Sequence, residues 1–123
     1  HLGYAWLVAG FALKAAALLG GFLPATAALH AFTIGAVGSM TLGVMSRAAL
    51  GHTGRELSAA PPIVAAYLLV SAAALARIAG PALLPAHEPQ ALAAAAILWI
   101  AAFGLFTAVY FPILTRPRKR AEA

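Results

Sequence analysis

The sequence predicts an all-α, polytopic membrane protein of four antiparallel transmembrane helices, with the N and C termini cytoplasmic. Three observations carry this. The 123 residues are 63% hydrophobic and only 9% charged, with a mean hydropathy of +0.93, whereas soluble domains run near ~25% charged. So few charges do not clothe a water-facing surface, and the lipid bilayer is the fitting solvent. Four apolar stretches each reach the ~20 residues that a hydrocarbon core requires. The basic residues, 8 Lys+Arg against 3 Asp+Glu for a net charge of +5, sit mostly outside those stretches. There they set topology, and no nucleic acid partner is expected.

The first stretch, Leu2 to Leu23, ends before Pro24. The second runs from Ala25 to Met45 and closes at Arg47 and Gly51, a span over 25–47. Pro61-Pro62 opens the third, Ile63 to Ala79, and Gly80-Pro81 closes it. The fourth, Ala91 to Leu114, is closed by Arg116-Pro117. Proline near helix starts and Gly-Pro just after helix ends are expected punctuation. Short links make sequential helices antiparallel neighbours. The chain thus reads as one bundle over 1–123, with spans at 2–23, 25–47, 63–79 and 91–114 and a basic tail at 115–123. It opens on His1 without a signal-peptide pattern. It is therefore expected to be the C-terminal part of a longer protein, whose remaining transmembrane helices are its partners.

Lysine and arginine placement gives the orientation. The cluster Arg116-Pro117-Arg118-Lys119-Arg120 and the link carrying Arg47 and Arg55 are expected in the cytoplasm, with residue 1. Tyr4, Trp6, Tyr110 and Phe111 then fall at the cytoplasmic headgroup level, where an aromatic belt is expected.

His30 lies in the second span, about one turn in from its outer end. At heptad spacing it shares a stripe with Thr33, Val37, Met40, Val44 and Arg47, while Ala28, Gly35, Ser39 and Ser46 line the opposite, small-residue side. An intramembrane histidine is costly unless it is paired or ligating. Its imidazole is a metal ligand and an axial haem ligand, or else makes an interhelical hydrogen bond. Around His52 and Thr53, Gly51 and Gly54 allow a sharp turn flanked by Arg47 and Arg55. That turn suits an anion, or serves only as a helix cap with topology-setting arginines. His1 shares the side of His52. His30 does not share a metal with His52, roughly 30 Å away along the helix. Lys14 is mid-span and is expected to face the bundle interior or an aqueous path, pairing with a carboxylate, guiding an anion or moving a proton. Arg77 reaches the outer surface easily and lies near the depth of His30. His87 sits in the outer loop. Trp99, Phe103, Phe106 and Tyr110 form an aromatic face.

The absence of cysteine excludes disulfides, thiolate metal sites and covalent haem attachment within this chain. No Asp or Glu lies within a span, which argues against a carboxylate-driven proton-coupled pump.

His30-Ala31-Phe32-Thr33-Ile34-Gly35-Ala36-Val37-Gly38-Ser39-Met40, followed by Val44-Met45-Ser46-Arg47-Ala48-Ala49-Leu50-Gly51-His52-Thr53-Gly54-Arg55, resembles the NnrS family. The opening His1-Leu2-Gly3-Tyr4-Ala5-Trp6-Leu7 is similar to it too. The resemblance covers mainly residues 1–57. It implies a multi-pass protein of the bacterial inner (cytoplasmic) membrane that contains haem and copper. It also implies a role in the response to nitric oxide and nitrosative stress, often in denitrification. By matching position, His1, His30 and His52 are the family-type histidines, and Arg47 and Arg55 the family-type arginines. On this reading His30 ligates haem, with Arg47, Arg55, Lys14 and Arg77 as cofactor-binding cations, and His1 and His52 form a second metal site. Two other classes stay open: a transporter or export component with a cationic path, and a structural or assembly subunit without a cofactor.

Overall fold

The structure, a computed structural model, describes residues 1–21 and 23–117. Among them every regular element is helical, and four helices are long and apolar enough to cross a membrane. The first helix is Leu2–Gly20. The second, Ala25–His52, is continuous but has a π-helical middle, Ala31–Val37. The third is Pro61–Leu83. A single 3-10 turn, Pro85–His87, leads into the fourth, Glu88–Thr115. The tail residues Arg118, Lys119 and Arg120 lie outside the described residues.

The spans occur where hydropathy predicts them, but several ends move. The first stops at Gly20, because Gly21 takes a left-handed conformation (φ 63°) that ends the helix short of Leu23. The second runs on past Arg47 to His52, so Gly51 is helical. Thr53 caps it, donating its hydroxyl to the Ala49 carbonyl (2.6 Å). Gly54 (φ 67°) then makes the turn that glycine makes most cheaply. The third begins at Pro61, whose missing N–H costs nothing at a helix start, and continues through Gly80-Pro81 to Leu83. Proline in the last turn of an apolar helix is tolerated there. The fourth begins at Glu88 rather than Ala91, with Pro89 in its first turn.

Packing follows side-chain size. The third and fourth helices form the most extensive pair, closing at Gly80, where a methyl group would collide with Ala91. The second helix lies against both. Leu42, Ala49, Ile63, Ala66, Val70, Ala102, Phe106 and Tyr110 make the core between these three. The first helix rests on the second by a reciprocal fit. Trp6 fills the space over Gly35, and Phe32 fills the space over Gly10. Phe11 meets Phe32 edge-on at 5.1 Å between ring centres. The Trp6 indole N–H crosses to the third helix and donates to Ser71 Oγ at 3.1 Å.

The small-residue side of the second helix is confirmed: Ala28, Gly35, Ser39 and Ser46 are buried. The opposite stripe also keeps to one face. Thr33, Val37, Val44 and Arg47 face outward, with only His30 and Met40 half-buried. The π segment lies between His30 and Met40, and Thr33 spends its hydroxyl on its own Leu29 carbonyl (2.8 Å). The aromatic belt is corrected in part. Tyr4 and Phe111 are exposed as expected, but Trp6 turns inward and Tyr110 is 2% exposed in the core, stacked on Phe106.

Candidate functional site

Two concave sites lie at opposite ends of the bundle. The antiparallel order decides which residues meet in each. At one end the start of the second helix faces the end of the third and the start of the fourth. This gathers Pro24, Thr26, Ala27, His30, Arg77, Ile78, Pro81 and Glu88 around a pocket of about 290 Å³. His30 and Arg77 are half-buried, and Glu88 is exposed at the rim. The sequence expectation that Arg77 lies near the depth of His30 is met here as shared lining of one pocket. Thr26 and Glu88 are additions that the sequence alone did not single out. The signal for them is topological, since a short link after the third helix brings Glu88 back beside Arg77.

At the other end is a cavity of about 930 Å³. The first helix supplies His1 and Tyr4, the second Ser39, Met40, Ser46 and Arg47, the third Tyr67 and the fourth Tyr110. His1 and Arg47 are thereby brought to one site. His52 is not among its walls; it is exposed at the last residue of the second helix. Arg55 lies beyond the turn and donates to the Thr53 carbonyl at 3.5 Å. Tyr67, which sequence reading passed over, lays its hydroxyl against Gly43.

Lys14 is exposed on the outer side of the first helix rather than turned to the bundle interior. The first helix ends six residues later, so Lys14 stands roughly 9 Å from that end by helical rise. A lysine stem covers much of that distance, so its amine reaches toward polar surroundings along the outer face. Lys14 and the Arg47–Arg55 pair lie at opposite ends and on different faces, so these cations do not line one common path. His87 is exposed in its turn.

The two cofactors implied by resemblance ask for different donor sets. The His30 pocket offers one imidazole and one guanidinium. That fits a single axial haem position with a cation for a haem carboxylate. Its volume is just below the ~300–1,000 Å³ of small-molecule sites, so it would hold only part of such a group. Copper does not fit this chain alone. Among the described residues no three His, Cys, Asp or Glu side chains come together, and histidine-bound metal sites usually draw on three or more such donors.

The sequence model of a family described as NnrS protein matches residues 1–118. No curated protein and no solved structure matches the chain.

Proposed function

Because the chain belongs to the NnrS family, we propose that it serves a haem-containing, multi-pass protein of the bacterial inner membrane in the response to nitric oxide. The observation that carries this reading is the joint placement of His30 and Arg77 in one pocket at one end of the bundle. His30 is the residue that would ligate the haem iron. Its neutral imidazole offers a nitrogen lone pair from a half-buried position. Arg77 holds a carboxylate of the same group by charge-assisted hydrogen bonds. When bound, haem supplies an iron with a coordination position for a diatomic ligand. The residues themselves orient the group and hold it at the bundle end. Copper, which the resemblance also implies, draws on donors beyond those gathered here, and no role is assigned to it in this chain.

The test is optical. Membranes holding the full-length protein are expected to show a Soret band that shifts on reduction and on addition of nitric oxide. His30→Ala abolishes that band. Arg77→Gln keeps it but loses haem faster to a competing apoprotein. A His30→Ala protein with an unchanged haem spectrum overturns the assignment.

A further inference from the structure

We propose that the cavity at the Arg47 end is a hydrated inlet, admitting water and small hydrophilic solutes from that side as deep as Ser39. Ser39 (3% exposed) and Ser46 (8% exposed) both line it. Their Oγ atoms have no hydrogen-bond partner among the described residues. Serine within an apolar helix ordinarily donates to the carbonyl one turn back. Thr33, Thr53, Thr107 and Thr115 all do so here. The two serines do not, although the same kind of carbonyl is within their reach. A buried hydroxyl left unpaired is costly, and the cost is removed by a polar occupant.

The cavity has room for one. Its volume of about 930 Å³ far exceeds the ~30 Å³ that a water molecule takes in the liquid. Its polar groups also fall in sequence along the second helix. Gly43 stands four residues after Ser39 and three before Ser46, so all three share one face. The Tyr67 hydroxyl lies against Gly43, between the two serines. Tyr110 adds a further phenol from the fourth helix, and Arg47 and His1 supply charge and an imidazole. From Ser39 to Leu50, the last wall residue on the second helix, is eleven residues, roughly 16 Å of helical rise, which sets the depth. Water molecules each need two to four polar partners, and this succession of hydroxyls provides them. An acyl chain would satisfy none of these groups, which is why lipid is not the proposed occupant. The inference does not rest on the haem reading, since it uses neither His30 nor Arg77.

The test needs no substitution at first. Hydroxyl-radical footprinting by radiolysis oxidises side chains that touch ordered or bulk water. In membranes holding the full-length protein, Tyr110 and Tyr67 are expected to be oxidised, while Phe106, equally packed in the core, is spared. Cysteine accessibility gives a second measurement, because this chain has no cysteine of its own. Ser39→Cys and Ser46→Cys are expected to react with a small cationic methanethiosulfonate, and Leu42→Cys, in the dry core, is not. Protection of Tyr67 and Tyr110, with no labelling at Ser39→Cys or Ser46→Cys in folded protein, overturns the inlet.

Discussion

At Gly35 the second helix has no side chain, and the Trp6 indole occupies the space where one would begin. In a membrane the apolar effect does not drive helices together, so contact of this kind carries the association. Gly35→Ala forces the indole to move, and overpacking typically costs about 1–3 kcal/mol. The expected outcome is a lower midpoint of thermal unfolding in detergent. Trp6→Ala in the same background restores part of the loss, because the colliding ring is gone. Trp6→Phe, by contrast, removes the bond to Ser71 Oγ, worth about 0.6 kcal/mol on the average of measured intramembrane bonds, together with part of the ring over Gly35. If Gly35→Ala unfolds no earlier than the parent, the Trp6 contact does not bear on stability. The small-residue side of this helix was readable from sequence because small residues there have a local, mechanical meaning. Which aromatic ring fills each gap was not readable. Trp6 and Tyr110 have the same apolar surroundings whether they face lipid or protein, so periodicity does not separate the two.

Among the elements, the second helix carries most of the consequence. Its π segment inserts a wider turn between the half with His30 and the half with Ser39, Ser46 and Arg47. Such turns occur mostly at functional sites. On either side of it and within it, Ala28, Gly35, Leu42 and Ser46 all face inward. Thr33 supports it by donating to the Leu29 carbonyl. Inserting one alanine after Gly38, where the helix is already α, turns the half with His30 by about 100° against the half with Arg47. The expected outcome is loss of His30 from its pocket while Arg47 keeps its place, read as a missing Soret band in protein that still folds. An insertion protein that keeps the full spectrum would show that the relative turn of the two halves does not matter. The seven π residues, Ala31 to Val37, give no local signal of their own, so a helical wheel at constant pitch passes through them without marking the wider turn. Helix lengths were legible because hydropathy is summed locally. Helix ends were less so, since Gly51 and Gly80-Pro81 stop helices in water but are carried inside apolar ones.

For the whole molecule, the division of charge between its two ends predicts how it sits in the membrane. His1, Arg47 and Tyr110 share one cavity, and His30, Arg77 and Glu88 share the pocket at the other end. Arg55 follows the second helix and Arg116 closes the fourth, so both join the first of these ends. With the tail residues Arg118, Lys119 and Arg120 counted from the sequence, six of the eight basic residues belong there. Lysine and arginine in short flanking segments are retained on the cytoplasmic side. The Arg47 end is therefore expected inside and the His30 pocket outside, facing the periplasm. A green fluorescent protein fused after the C-terminus fluoresces if this is right, and alkaline phosphatase placed there stays inactive. Phosphatase inserted at His87, in the exposed turn beside the His30 pocket, is active. The reverse pattern would place the pocket in the cytoplasm. In the expected orientation, the two sites open on opposite faces of the membrane. A charged, membrane-impermeant thiol reagent added outside whole cells then leaves Ser46→Cys unmodified and reaches it only in inverted vesicles. That asymmetry distinguishes an inlet opening inward from general leakiness of the bundle.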